Sequence, residues 1–416
     1  MTEIRHVGED ELLPWVKTMR TALMSDPGNI SDSQLDFWRS VWNEDRILGG
    51  YDGGRCVGTL RTFATSYSVP VGPGRTVEVS CDALTQVGVA ATHRRQGILT
   101  GMLSRSLAAA KDRGDTISLL RAAEWGIYGR FGYWPTTKVS DYEVRTTTRP
   151  QLRHRPEKIT VSQVDPDEAL APATDVLRRV RQREHGHIDR PEPMWQRRLR
   201  LHQPPGTFEP VCVLARDESG DIVGFAMWTG AAGDWYNDSL HEVKIKVDDL
   251  LAVTDAAYAG LWHYLLNIDL ARTITLEERP VDESLEWLLT DGRAARRLRT
   301  GDGDWLRILD LPAALQARRY GREDRLVLEV RDHDSGAYAA GRWRLDAGPD
   351  HAECTSSTES ADLALSQRAL AGIYLGGNTV RSQALAGLIE EETPGALDRL
   401  QLMFATERAP WNATGF

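Results

Sequence analysis

Cysteine is scarce in this chain. Four cysteines, Cys56, Cys81, Cys212 and Cys354, lie far apart among 416 residues and form no CxxC pair. That excludes a disulfide scaffold and fits reduced, mostly buried thiols in a cytoplasmic protein. Long apolar runs are missing too, so no transmembrane helix is expected. The opening residues Met1-Thr2-Glu3-Ile4-Arg5 carry no apolar signal-peptide core. The ten histidines are scattered without metal-ligand spacing, so no metal is expected. Basic residues are outnumbered: 50 Lys and Arg against 60 Asp and Glu give a net charge of −10. This balance disfavours nucleic acid as a partner. An acidic cleft would instead concentrate a cationic substrate, although the same charge also serves plain solubility.

What is present is an ordinary globular composition, 41% hydrophobic and 26% charged, on a chain long enough for two or three domains. The first part reads as mixed α/β. Leu12 to Met24 and Ser33 to Trp42 are helix-like, and Arg46 to Tyr51 is a strand. Asp52-Gly53-Gly54 is a hairpin turn, and Cys56 to Phe63 returns. From Val77 a period of two sets Val77, Val79, Cys81, Ala83, Val87 and Val89 on one side. Gly88 suggests a bulge or a close backbone approach. A helix with Ile98, Leu99, Met102, Leu103, Leu107 and Ala110 on its apolar face follows. Ile117 to Leu120 reads as a strand and Trp125 to Phe131 as a short helix, and the polar, proline-bearing stretch Thr146 to Lys158 reads as a linker.

Between strand and helix lies His93-Arg94-Arg95-Gln96-Gly97. A helix N-terminus carries unpaired N–H groups and partial positive charge, so it attracts anions. Arg94 and Arg95 add donors suited to phosphate, and Gly97 lets the backbone come close. This points to a phosphorylated ligand, with a solvated basic turn as the plainer reading.

An echo of this unit follows. Val57-Gly58-Thr59-Leu60 matches Val223-Gly224-Phe225-Ala226, and Leu251 to Tyr258 with the helix from Leu261 to Leu266 matches Val89 to Leu103. Sliding one on the other sets His93-Arg94-Arg95 against Asp255-Ala256-Ala257, and Gly97 against Ala259. The second copy lacks the basic loop. The remainder differs in character. Trp305 to Leu311 is expected as a strand, with a short helix from Ala313 to Tyr320. Leu326 to Arg331 should pair with Gly341 to Leu345, and helices are expected over Ser366 to Tyr374, Ser382 to Glu390 and Gly395 to Ala405. The expected domains are 1–148, 159–290 and 291–416.

Arg94-Arg95-Gln96-Gly97-Ile98-Leu99 resembles the Q/R-x-x-G-x-G/A signature of GNAT acetyltransferases, with Leu99 in place of the second small residue. Together with Gly126-Ile127-Tyr128-Gly129-Arg130-Phe131-Gly132-Tyr133, the length and the terminal Phe416, the whole chain resembles the Eis (enhanced intracellular survival) family of GNAT N-acetyltransferases. The resemblance implies an α/β (α+β) fold: tandem GNAT-like domains followed by a sterol-carrier-protein-like C-terminal domain. It also implies acetyl-CoA as cosubstrate and a homo-hexamer. It makes Tyr128 the general acid that protonates the leaving thiolate; an unperturbed phenol near 10 and a thiol near 8.5 are roughly matched. It makes the Phe416 carboxylate the general base. Val87, Gly88, Val89, Arg94, Arg95, Gln96, Gly97 and Ile98 would hold the cofactor.

Trp38 and, less securely aligned, Asp26 would line the substrate pocket, with a core role for Trp38 as the alternative. Two departures stand out: Gly415 where the family often has an acid, and Ala123 where it often has a serine. The expected activity is direct acetyl transfer to amines of aminoglycoside-like polycations. Peptide lysine is an alternative acceptor, and a non-enzymatic protein binding CoA or an apolar ligand is the alternative of another class.

Overall fold

The computed structural model describes residues 2–28, 30–154, 156, 158–201, 209–231, 243–332 and 336–416. In chain order the first elements are β1 (Glu3–His6), α1 (Leu12–Ala22), α2 (Asp32–Ser40), β2 (Ile47–Asp52), β3 (Arg55–Gly72), β4 (Arg75–Val89), α3 (Ile98–Asp112), β5 (Ile117–Arg121), α4 (Trp125–Tyr128), β6 (Trp134–Pro135) and β7 (Lys138–Arg145). Then come β8 (Thr160–Val164), α5 (Pro166–Arg181), α6 (Glu192–Arg198), β9 (Val211–Arg216), β10 (Ile222–Ala231), β11 (Lys244–Ala252), α7 (Asp255–Leu266), β12 (Thr273–Pro280), α8 (Leu285–Leu288), β13 (Ala295–Asp302) and β14 (Asp304–Ile308). The last stretch holds α9 (Leu311–Ala317), β15 (Asp324–Arg331), β16 (Gly341–Ala347), β17 (Ala352–Ser356), β18 (Leu363–Ser366), α10 (Gln367–Ile373), α11 (Val380–Leu385), β19 (Ile389–Glu391) and α12 (Ala396–Phe404).

These strands form three sheets. The order is β1-β2-β3-β4-β5-β14-β6 in the first, β13-β7-β12-β11-β10-β9-β8 in the second and β17-β16-β15-β18-β19 in the third. The first two sheets trade strands: β7 pairs with β12 and β13, and β14 pairs with β5 and β6. The sequence boundaries at 148 and 291 therefore do not separate the sheets. Nor is the stretch after Thr146 a free tether. Thr146 donates to the Ala271 carbonyl at 2.5 Å, and Leu152 bridges to Leu289.

The hairpin at Asp52-Gly53-Gly54 and the pairing of Leu326 with Leu345 are as the sequence suggests. The helix expected over 382–390 is not: α11 ends at Leu385 and Ile389 begins a strand beside β18. Gly387, at φ 72°, and the apolar Ile389 favour that turn into an edge strand. All four cysteines are buried and unpaired.

The alternation along β4 also needs correction. Gly58 pairs with Val89 and Thr59 with Gly88, but Arg61 already pairs with Thr85. The extra residue makes a bulge at Gln86, whose φ is 50°. A bulge swaps faces, because side chains alternate with period two. Cys81 and Ala83 therefore pack with Leu119, Leu326 and Leu370, whereas Val87 and Val89 join Leu84 and Leu120 on the other face. Gly88 itself is a close approach: a Cβ there would lie 2.6 Å from Cβ of Ala22.

Candidate active site

The site grows from one break in the first sheet. β4 and β5 run parallel from Cys81–Ile117 to Leu84–Leu120 and then part. The bulge at Gln86 falls just past the last pair and bends β4 away. Beyond it, Val87 to Val89 keep β3 on one edge and, among the described residues, have no strand on the other. Backbone groups on that free edge can receive an extended ligand as an added strand.

The loop after β4 leads to the same opening. Ala90 donates to Val57 O, and His93 turns back to Ala90 at 2.8 Å. His93 also meets Thr92 Oγ1 at 2.8 Å and Asp52 at 3.3 Å, which fixes the ring beside the hairpin turn. Gln96 reaches the Thr92 carbonyl at 3.4 Å. Arg95 and Gly97 have φ of 63° and 81°, and Gly97 is the N-cap of α3. Left-handed residues at this point turn successive N–H groups toward a common concavity, which suits an anion. Among the described residues nothing lies within 4 Å of a Cβ placed on Gly97. Arg94 and Arg95 are exposed. Ile98 is different: its side chain is core and touches Gly50 and Gly58, so only its backbone can face a ligand. These residues fit the pyrophosphate and pantetheine of acetyl-CoA.

Tyr128 closes α4, which follows directly on β5. Its ring is buried with Leu84, Leu120 and Phe131 and meets Tyr133 edge-on at 6.3 Å. Its hydroxyl has no hydrogen-bond partner among the described residues. Burial, aided by the charge of Glu124, pushes the phenol up to about 12, above the unperturbed value expected from sequence. Ala123 is exposed and offers no hydroxyl.

Phe416 reaches the sheet from the other face. Its ring meets Phe63 edge-on, centroids 5.6 Å apart, against the core that contains Cys81 and Ala83. The preceding residues cross the middle of the molecule. Asn412 donates to Asp304 at 2.9 Å and accepts from Arg121 through its carbonyl at 3.3 Å. Arg121 ends β5, at the point where the strands part, and also binds Asp304 at 2.7 Å and Glu278 at 3.2 Å. Arg190, fully buried, donates to Thr414 Oγ1 and to the Ala413 carbonyl while holding Asp249 with two bonds of 3.0 and 3.1 Å. The tail is thus tied to both sheets.

The two remaining residues singled out from sequence stand on α2 and on the loop after α1. Trp38 is buried in a small core with Trp15, 6.0 Å ring to ring. Asp26 is exposed on the loop after α1 and accepts the Gly28 N–H at 2.8 Å. Sequence reasoning missed His187, Arg190, Trp411 and Asn412. No local pattern marks them, because each has at least one partner more than a hundred residues away.

The second sheet repeats the break. β11 and β12 run parallel from Lys244–Thr273 to Val247–Leu276 and part at a bulge at Asp248. Gly224 pairs with Ala252 as Gly58 pairs with Val89. The helix start differs. α7 begins at Asp255 with Thr254 as its cap, directly after the strand, so the residues between Val89 and Ile98 have no counterpart there. Setting Gly97 against Ala259 was therefore incorrect, since Ala259 lies inside a helix.

Comparisons with known proteins agree with this layout. Residues 3–136 and 186–308 each match an acetyltransferase (GNAT) domain family, and residues 311–413 match a sterol carrier protein domain family. The chain is 32% identical over 409 residues to N-acetyltransferase Eis of Mycobacterium tuberculosis, covering 94% of this chain and 95% of that protein. It is 36% identical to an uncharacterized N-acetyltransferase of Streptomyces griseus, over 98% of both. Eis1 of Mycobacterium abscessus superposes with a TM-score of 0.85 at 29% identity, covering both chains fully. Among the described residues no helix is long and apolar enough to cross a membrane. Among them, no group of three or more His, Cys, Asp or Glu could hold a metal ion.

Proposed function

This chain belongs to the Eis family of GNAT N-acetyltransferases, and from that premise we propose that it moves acetyl from acetyl-CoA to an amine of a polycationic small molecule, by direct attack. The observation that carries the reading is the parting of β4 and β5, approached by Tyr128 from one face and Phe416 from the other.

Val87 to Val89 would hold the pantetheine arm by backbone bonds. Arg94, Arg95 and the N–H groups from Gln96 to Ile98 would hold the pyrophosphate. Bound acetyl-CoA supplies an activated thioester. The Phe416 carboxylate takes the proton that the acceptor ammonium must lose before attack. Tyr128, raised by burial, keeps its proton throughout the neutral range and gives it to the departing sulfur. The burial that raises the phenol also raises the proton affinity of a sulfur anion beside it, which narrows the gap between them. No cysteine is placed as a nucleophile, because all four are buried.

Acidic side chains support a cationic acceptor. A cavity of about 160 Å³ beside Gly415 is lined by Asp248, Asp249, Glu277 and Glu278 against Arg198, Lys246 and Arg279, so acids exceed bases there by one. Glu278 Oε2 lies 3.6 Å from where a Cβ of residue 415 would stand, so a carboxylate sits near the acid that Gly415 lacks. Aminoglycosides fit this charge, and lysine side chains are the second acceptor class. The same reading carries a homo-hexamer and a cytoplasmic location; sedimentation velocity tests the first.

The deciding assay measures free thiol release from acetyl-CoA with a panel of aminoglycosides, polyamines and lysine peptides. Turnover with aminoglycosides is expected. No turnover with any amine would contradict the reading.

A further inference from the structure

The fork of the second sheet, where a GNAT fold would keep its cofactor, is entered by the chain's own tail. Trp411 lies between the ends of β11 and β12. It lines the small cavity with Asp248 and Glu278, and also a larger one of about 890 Å³ with Leu250, Tyr258 and Glu283. Its Nε1–H donates to the Glu278 carbonyl at 2.5 Å, and the Arg279 guanidinium covers its ring at 4.5 Å. Glu278 offers that carbonyl because it sits on a bulge of β12 at a φ of 54°.

The segment 184–187 completes the holder. Gly186, at φ 96°, lies so close that a Cβ there would be 2.8 Å from the Trp411 nitrogen. The His185 carbonyl accepts from Trp411 N–H at 3.2 Å. His187 is fully buried and meets the Trp411 ring edge-on at 5.0 Å. Its Nδ1 accepts from Ala413 N–H at 3.3 Å, and its Nε2 faces Glu184 at 3.5 Å. A neutral ring that accepts at Nδ1 carries its proton on Nε2, which has no hydrogen-bond partner among the described residues and only faces the Glu184 carboxylate.

We propose that the second GNAT-like module is a holder for the C-terminus: Trp411 in its fork and His187 on Ala413 are positioning residues that place the Phe416 carboxylate at the first module's fork. Only Thr414 and Gly415 separate Ala413 from Phe416, so an error at either anchor displaces the carboxylate directly. This also gives the second module a role after its loop between strand and helix was lost. The proposal rests on the carboxylate acting as base.

The test is steady-state kinetics of the full-length His187→Leu, His187→Gln and Trp411→Phe variants beside a Phe416 deletion, using acetyl-CoA and the amine that wild type acetylates fastest. His187→Leu is expected to lower kcat by about tenfold to a hundredfold, the cost of a misplaced catalytic group, with the KM for acetyl-CoA unchanged. His187→Gln keeps an acceptor and recovers most of the rate. Trp411→Phe keeps a ring in the fork, loses the bond to Glu278 and falls between the two, which covers the case of a His187→Leu protein that does not fold. Formate should partly restore His187→Leu and the Phe416 deletion, and not accelerate wild type. Wild-type kcat in both His187→Leu and Trp411→Phe, with the Phe416 deletion inactive, would overturn the positioning role alone. A fully active Phe416 deletion would overturn the base reading and this proposal with it.

Discussion

The ring of Phe416 meets that of Phe63 edge-on at 5.6 Å, which docks Phe416 on the third strand of the first sheet. Edge-to-face pairs contribute about 0.5–1.5 kcal/mol beyond area burial. Phe63→Leu removes that pair and keeps an apolar side chain. It should lower kcat by about threefold to tenfold, the fold-change of that energy, and leave the KM for acetyl-CoA unchanged. Parallel measurement of melting temperature separates a loose tail from a loose core.

Tyr128→Phe removes one hydroxyl and keeps the ring in place. Loss of a general acid costs about 10²- to 10⁴-fold in kcat. Acetyl-CoA affinity, measured by calorimetry, should stay the same because the phosphate loop is untouched. Burial holds the phenol near 12, so kcat/KM should show no descending limb centred near 10. A limb there would place Tyr128 in a wetter setting.

Arg94→Ala with Arg95→Ala acts on the cofactor alone. Two charge-assisted bonds of about 1.5–3 kcal/mol each are at stake, so the KM for acetyl-CoA should rise by roughly tenfold or more. Wild-type affinity should weaken with added salt and the double variant's much less, since exposed charges are screened. Titration at two ionic strengths measures both.

His185 sets a pH limit on stability. Burial holds its imidazole down to about 4, against an ordinary 6.5, and Nε2 donates to the Leu375 carbonyl at 3.2 Å. The unfolded chain binds a proton in this range that the folded one refuses. Stability is therefore present above 6.5 and lost as pH falls toward 4, by about 3 kcal/mol in all. His185→Gln can still donate to Leu375 and should flatten that part of the urea-midpoint profile. An unchanged slope would assign the acid sensitivity to other groups.

Much of this was legible in the chain. The loop from His93 to Gly97 stood out because strand period, glycine and helix period meet there, and Gly58 and Gly224 hold the same register in both sheets. The faces of Val87 and Val89 were not legible, because a bulge needs one left-handed residue and Gln86 does not announce one. The strand exchange was hidden for a related reason: Trp305 to Leu311 reads as an ordinary strand, residues 138–145 carry no expectation at all, and only tertiary pairing sends each to the other sheet. Trp38 has helical spacing that suits a core and a pocket alike, and its packing on Trp15 carries no mark in the sequence. The tail's partners, His187 and Arg190, carry no local signal at all.

The central claim is that the carboxylate of Phe416 is the base. Joining a synthetic C-terminal peptide to the truncated chain can yield the full protein ending in a carboxamide, identical except for that one charge. Its kcat with the best amine should fall about 10²- to 10⁴-fold, as expected for loss of a general base, with acetyl-CoA affinity unchanged. A carboxamide protein that turns over at the wild-type rate would contradict the account.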